Sequence, residues 1–269
     1  MLLRSLTLRP QLEGRDGVFP YSVPAIRSLR TLNFPTPVTF LVGENGSGKS
    51  TLLEAIAAAT GMQAIGSEMR LEADTTLSAQ RELASHFKLT WHGARPSRGF
   101  YLRAEDFFGF TKTLARMRAD FLRELEEIDE EYRDRSDWAK GLRSGPVSGS
   151  LRDMEQRYGI DLDANSHGQS FLKLFQSRFV PQGLYLLDEP EAPLSPQSQL
   201  AFIAMLKEMT SQASQFVIAT HSPILLAFPG ATIYSFDECP VQRVEFETLE
   251  HVTLTREFLA NPERFLRHL

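Results

Sequence analysis

Residues 43 to 50 read Gly-Glu-Asn-Gly-Ser-Gly-Lys-Ser, between the apolar run Val38-Thr39-Phe40-Leu41-Val42 and the helix-forming stretch Thr51-Leu52-Leu53-Glu54-Ala55-Ile56-Ala57. A strand, a glycine-rich turn and a helix in that order restrict the chain to an α/β fold in which the helix packs back on the sheet that launches it. Gly43, Gly46 and Gly48 let the backbone turn sharply, so that the N–H groups of Gly43, Glu44, Asn45, Gly46, Ser47, Gly48, Lys49, Ser50 and Thr51 line a concavity at the positive end of a helix dipole. Such a cradle suits an anion of several charges. Lys49 reaches its outer phosphates as a point charge, and the Ser50 hydroxyl is placed to ligate the Mg²⁺ that bridges them. A nucleoside triphosphate site with ATP and Mg²⁺ as cofactors is the expectation.

The rest of the chain is globular in composition. It has 269 residues, 42% hydrophobic and 23% charged, with a net charge of −5, so it is neither a disordered tail nor basic overall as many constitutive nucleic-acid binders are. No apolar run approaches the ~20 residues that cross a bilayer, and no membrane span is expected. The N-terminal run Met1 to Thr7 alternates like a strand and lacks the pattern of an export signal, and the lone Cys239 fits a reducing compartment, so a cytoplasmic protein is expected.

Two further apolar runs end in chemistry. Leu184-Tyr185-Leu186-Leu187 has the pattern of a strand buried on both faces of a parallel sheet and ends in Asp188-Glu189-Pro190, at the strand edge where ligands of α/β sheets gather. Asp188 is the candidate metal-side carboxylate, and Glu189 the candidate general base for an attacking water. Phe216-Val217-Ile218-Ala219-Thr220 ends in His221, which projects at the same edge and is a candidate γ-phosphate or Glu189 contact.

Taken together these residues resemble the ATP-binding-cassette ATPases. Asp188-Glu189-Pro190 is similar to that family's Walker B metal ligand and catalytic glutamate, and His221 to its switch histidine. Asn165-Ser166-His167-Gly168-Gln169 resembles the signature loop, matching at Ser166, Gly168 and Gln169 and departing at Asn165 and His167. Independently, Ser166 is a good N-cap, and Phe171, Leu174, Phe175 and Phe179 fall on one helical face, which makes a second anion site at a helix start. The resemblance implies a head-to-tail pair of subunits, each signature loop closing over the other's ATP, so the expected partner is a second copy of the chain. Ser195 stands where the family's D-loop carries aspartate, and it also reads as an N-cap ahead of Pro196. For the family's glutamine loop, Glu105 or Arg103 takes the place of the glutamine, and Phe19 or Tyr21 stands where an aromatic meets adenine, although strand-core packing explains those two as well.

The resemblance implies an α/β phosphate-loop core with a mixed sheet and flanking helices, an inserted helical lobe and a small antiparallel β part. Residues 1–110 and 166–269 are expected to form the core and 111–165 the lobe that leads into the signature loop. Phe87 to Trp91 and Phe100 to Arg103 read as a hairpin across Gly93 to Gly99. Leu114, Arg118, Phe121, Leu125, Ile128 and Tyr132 form a stripe too short for a long coiled coil, and Gly141 to Ser150 reads as a mobile connector. Thr232 to Phe236 reads as a strand, Val244 to Thr248 as an edge strand, and Phe258, Leu259, Phe265 and Leu266 as one terminal helix.

Glu189-Pro190-Glu191-Ala192 with Leu194-Ser195-Pro196 is similar to soluble ATPases of the RecF and chromosome-maintenance type, and to their small stand-alone relatives. That branch implies an ATP-gated clamp or switch acting on DNA or a DNA-processing protein, with Arg95, Arg98, Arg103, Arg116, Arg118 and Arg123 either as candidate phosphate contacts or as partners of nearby glutamates. The alternative is an ATP-binding subunit that energises a separate membrane transporter.

Overall fold

The computed structural model describes residues 1–9, 17–62, 78–158 and 167–267. Strands β1 (Leu3–Leu8), β2 (Thr31–Asn33), β3 (Val38–Val42), β4 (Phe87–Trp91), β5 (Gly99–Arg103), β6 (Leu184–Asp188), β7 (Gln215–Ala219), β8 (Thr232–Ser235) and β9 (Gln242–Val244) form two sheets among the described residues. The larger runs β5-β6-β7-β3-β8-β9, parallel except for the antiparallel β8–β9 edge, and the smaller is the antiparallel set β2-β1-β4. The α/β fold, mixed sheet and small antiparallel part are as the sequence implies.

The central strands are apolar throughout because both of their faces are covered. Val38, Phe40, Phe100, Leu102, Tyr185, Leu187, Phe216 and Ile218 face one core, together with Phe171, Leu174 and Phe175 of α6 (His167–Arg178) and Phe202 and Leu206 of α7 (Pro196–Ser211). Leu41, Tyr101, Leu184, Leu186 and Val217 face the other, where α2 (Lys49–Thr60) lies between the large sheet and Leu3, Leu6 and Leu8 of the small one. Alternate residues of one strand therefore serve different cores, the period-2 rule of a pleated strand. The two sheets are stitched by Gln215, fully buried, whose Oε1 accepts from the Leu2 and Leu3 N–H groups at 2.8 and 2.7 Å and whose Nε2 donates to the Leu3 carbonyl at 2.9 Å.

Four expectations are corrected. The hairpin of residues 87–103 does not form: β4 pairs with β1 and β5 pairs in parallel with β6. Phe100, Tyr101 and Leu102 are all buried and need cover on both faces, which the parallel sheet supplies, whereas β4 is half exposed beyond Phe87. The segment Gly141 to Ser150 is not a connector but the middle of α5 (Asp137–Tyr158), with Pro146 inside it. Packing overrides propensity there. Val147 and Leu151 are buried, as are Leu114 and Ile128 of the neighbouring α4 (Ala104–Glu131), and Arg118–Glu155 at 3.0 Å, Lys140–Asp129 at 2.9 Å and Arg143–Glu124 at 3.4 Å pair the two helices. The stripe of α4 thus meets α5 as a helical hairpin. At the C-terminal edge, β9 ends at Val244, and residues 246–248 form a single 3₁₀ turn closed by Thr248 on the Glu245 carbonyl at 2.8 Å. The terminal helix is likewise two, α9 (Glu250–Ala260) and α10 (Pro262–Leu266), broken where Asn261 caps the Arg264 N–H at 3.2 Å. No helix among the described residues is long and apolar enough to cross a membrane.

The β5–β6 seam admits no side chain at its start. Gly99 has φ +135°, and a Cβ there would stand 1.8 Å from the Leu184 carbonyl oxygen. Gly99→Ala is expected to cost about 3 kcal/mol or more of stability, read as a lower urea midpoint.

Candidate functional site

The carboxyl ends of the parallel strands deliver the site. The turn after β3 runs into α2 through Gly43, Gly46 and Gly48 at φ +145°, +83° and +104°, conformations that favour glycine and turn the intervening N–H groups inward. Gly48 also has no room for a Cβ, which would meet Val23 Cγ1 at 2.8 Å. From outside, Asp237, just past β8, accepts the Glu44 N–H at 2.6 Å and so holds the turn in place. The Lys49 ammonium lies within the loop, donating to the Gly43 and Glu44 carbonyls at 2.5 and 2.8 Å. Burial lowers its pKa, opposed by the carboxylates of Glu189, Asp188, Asp237 and Glu191.

Ser50 and Glu54 are four residues apart and share the face of α2 that looks at the carboxyl ends of β5 and β6. There Arg103 and Asp188 stand side by side in the sheet register. Ser50 Oγ donates to Asp188 Oδ1 at 3.1 Å, Arg103 Nη1 contacts Glu54 Oε1 at 2.9 Å, and Arg103 Nε lies 3.7 Å from Asp188 Oδ2. Gln80, from α3 (Ser78–Ser85), completes the set by donating to Glu54 Oε2 at 2.9 Å. Of the two residues expected to replace the glutamine of the glutamine loop, Arg103 reaches the site. Burial raises the Asp188 carboxyl to about 6, against the lowering effect of the Ser50 hydroxyl and Arg103. Tyr101, two residues before Arg103 on the same strand face, is pushed well up by burial and then by Asp188 and Glu54, so its hydroxyl stays neutral.

Glu189 has φ +51°, rare for a residue with a side chain, and its N–H is fixed on the Ala219 carbonyl at 2.9 Å. The constrained backbone sends a half-exposed carboxylate toward the loop edge, where Glu189 Oε1 is 3.9 Å from His221 Nε2, an approach too long for a hydrogen bond. Glu191 accepts the His221 N–H at 2.7 Å and is itself raised by burial. It ties the segment after β6 to the segment after β7.

Oxygen donors in this arrangement suit Mg²⁺. Ser50 and Asp188 present two hard oxygens 3.1 Å apart beside the loop, and the buried Asp188 carboxylate favours a cation nearby. Among the described residues no group of three His, Cys, Asp or Glu could hold a metal, so the remaining ligands would be phosphate oxygens and water, the usual habit of Mg²⁺ in nucleotide sites.

Of the signature residues, Ser166 lies outside the described residues. Gly168 is buried at the start of α6, where a Cβ would meet the Pro193 carbonyl at 3.0 Å, and Gln169 is exposed. The α6 start therefore backs onto the segment that follows Glu189. Ser195 caps α7 by accepting the Ser198 N–H at 3.2 Å. Tyr21 is buried in the core, whereas Phe19 is exposed. Glu54, Gln80, Glu191 and Asp237 are the site residues to which sequence reasoning gave no role; Glu191 and Asp237 follow apolar strands closely enough to carry a positional signal, whereas Glu54 lies inside the apolar run of α2 and nothing adjacent to Gln80 marks it.

A family model described as "AAA domain" matches residues 21–141, a span that includes the phosphate loop, α2 and Arg103. The chain carries an α/β fold in which a glycine-rich turn joins a strand of a largely parallel sheet to a helix. Solved structures similar to this fold include the SMC head domain from Thermotoga maritima, at 16% identity, TM-score 0.44, covering 91% of this chain and 100% of that one. A second is the Smc head domain from Pyrococcus furiosus with an extended coiled coil bound to the C-terminal domain of ScpA, at 12% identity, TM-score 0.46, covering 96% and 100%. A third is an ATP-binding cassette of an ABC transporter in its ADP conformation, at 16% identity, TM-score 0.46, covering 97% and 96%. No curated protein sequence matches the chain.

The pH behaviour of Asp188 follows from its surroundings. A carboxyl raised to about 6 in the folded state binds more protons than the unfolded chain between about pH 4 and 6, so metal-free stability falls as pH rises through that window. Compared with Asp188→Asn, the metal-free protein is expected to lose up to ~3 kcal/mol across that window, measured by urea unfolding in EDTA.

Proposed function

We propose that this chain binds Mg-ATP in the loop from Gly43 to Thr51 and hydrolyses it, acting as an ATP-gated clamp or switch whose complete site needs a second copy of the chain. The observation that carries the reading is the meeting of Lys49, Ser50, Asp188 and Glu189 at the carboxyl edge shared by the parallel strands β3 and β6, with Ser50 on Asp188 at 3.1 Å. Loop N–H groups and Lys49 hold the phosphates. Ser50 and Asp188 would hold Mg²⁺, which would supply positive charge to offset that of the phosphates. Glu189 accepts a proton from the water whose oxygen attacks the γ-phosphorus as the bond to the β-phosphate oxygen breaks. His221 lies 3.9 Å from Glu189 and orients it or contacts the γ-phosphate.

The second half of the site is assigned, as the resemblance implies, to Ser166, Gly168 and Gln169 of a partner copy. In this reading residues 1–110 and 166–269 are the core, 111–165 the moving lobe, and the protein works in the cytoplasm. A DNA or DNA-processing partner is the target suggested by the sequence, but Arg103, Arg118 and Arg123 already contact carboxylates, which weakens the case for phosphate-backbone binding through them. Turnover measured with and without duplex and single-stranded DNA across a salt series separates a DNA-stimulated clamp from a transporter subunit.

Lys49→Ala is expected to abolish detectable ATP binding by calorimetry. Glu189→Gln is expected to keep binding, lose on the order of 10²-fold or more in turnover, and accumulate as a dimer in Mg-ATP. A Glu189→Gln protein that stays monomeric in sizing experiments with saturating Mg-ATP overturns the paired site. Ser166→Arg is expected to stop hydrolysis while monomer ATP affinity changes less than about threefold, since the loop would act on the partner's nucleotide.

A further inference from the structure

Two carboxylates, Glu54 and Asp188, are buried beside the phosphate loop with side chains only 6% exposed. Buried charges of one sign need a counter-charge. Arg103 provides it, and its guanidinium cannot shed its proton, so the cation is permanent. The geometry is unequal: Nη1 is in direct contact with Glu54 at 2.9 Å, whereas Nε stands off Asp188 Oδ2 at 3.7 Å. Asp188 Oδ1 receives the Ser50 hydroxyl at 3.1 Å, and Glu54 Oε2 receives Gln80 at 2.9 Å. Glu54 thus anchors the guanidinium, and Asp188 is the weaker of its two partners. A divalent cation or its water shell at Asp188 would draw on the same carboxylate and would stand close to a fixed positive charge.

We propose that Arg103 is a resident counter-cation of the metal site, which competes with Mg²⁺ for Asp188 and sets the metal concentration at which nucleotide is engaged, while Glu54 limits that competition by holding the guanidinium away. The inference rests on Asp188 being the metal-side carboxylate of the ATP site. It predicts opposite effects from the two ends of one ion pair. Removing the cation leaves Asp188 more attractive to Mg²⁺. Neutralising Glu54 frees the guanidinium to lean on Asp188 and makes Mg²⁺ compete harder.

The test uses the full chain and a fluorescent ATP analogue, with anisotropy followed across a Mg²⁺ series starting in EDTA. Arg103→Gln is expected to lower the Mg²⁺ concentration for half-maximal binding by about tenfold, Arg103→Lys to stay within about threefold of the parent, and Glu54→Gln to raise it by about threefold or more. A mere tether between β5 and α2 would behave otherwise: both neutralising substitutions would loosen the site and raise the midpoint. An unchanged or higher midpoint in Arg103→Gln, or shifts of the same sign in Arg103→Gln and Glu54→Gln, overturns the proposal. Should Arg103→Gln fail to give a cooperative thermal transition, Glu54→Gln decides alone, a raised midpoint upholding the inference and any other result overturning it. If the parent binds no analogue at any Mg²⁺ concentration, the ATP reading fails and takes this inference with it; parent binding with unshifted variants overturns the inference alone.

Discussion

Burial of the parallel strands on both faces is the constraint on which the rest of this protein depends. Strands β3, β6 and β7 bury every side chain, and apart from Thr39 their polar and charged residues stand at the strand ends. Because the strands run in the same direction, their carboxyl ends stop at the same edge. Lys49, Asp188, Glu189 and His221 therefore converge through sheet geometry, with no need to be near one another in sequence. Helix α2, clamped between the large and small sheets, aims its first turn at that edge and brings Ser50 and Glu54 on a single face.

The polar layer so formed is small and closely matched. Its carboxylates are divided between two jobs: Asp188 and Glu189 face the phosphate loop, while Glu54, Glu191 and Asp237 hold Arg103, the His221 backbone and the loop itself. The positive φ of Glu189 belongs to the same logic, since a regular strand continuation would send its side chain to the face of the sheet opposite that of Asp188.

Much of this was legible from local pattern. The loop from Gly43 to Ser50, the apolar runs before Asp188 and before His221, and the cap at Ser195 are short-range features whose physics is contained in a few adjacent residues. Misreadings arose where a long-range partner decides. Phe100 to Arg103 looks like the second arm of a hairpin because Gly93 to Gly99 looks like its turn, yet its two-sided burial sends it to β6. Gly141 to Ser150 has the composition of a linker, yet Val147, Leu151 and the ion pairs to α4 keep it helical despite Pro146.

By itself, the sequence determined a phosphate-binding turn in an α/β fold and the strand ends that carry its acidic residues, because glycine geometry and two-sided burial are written locally in residue type and spacing. Tertiary structure alone decided that Arg103 lies between Glu54 and Asp188, that Asp237 braces the loop, and that Glu191 fixes the His221 backbone. Those contacts join residues from different strands and helices, and a charge finds its partner only once the sheet register and the seating of α2 have brought the two within a few ångströms.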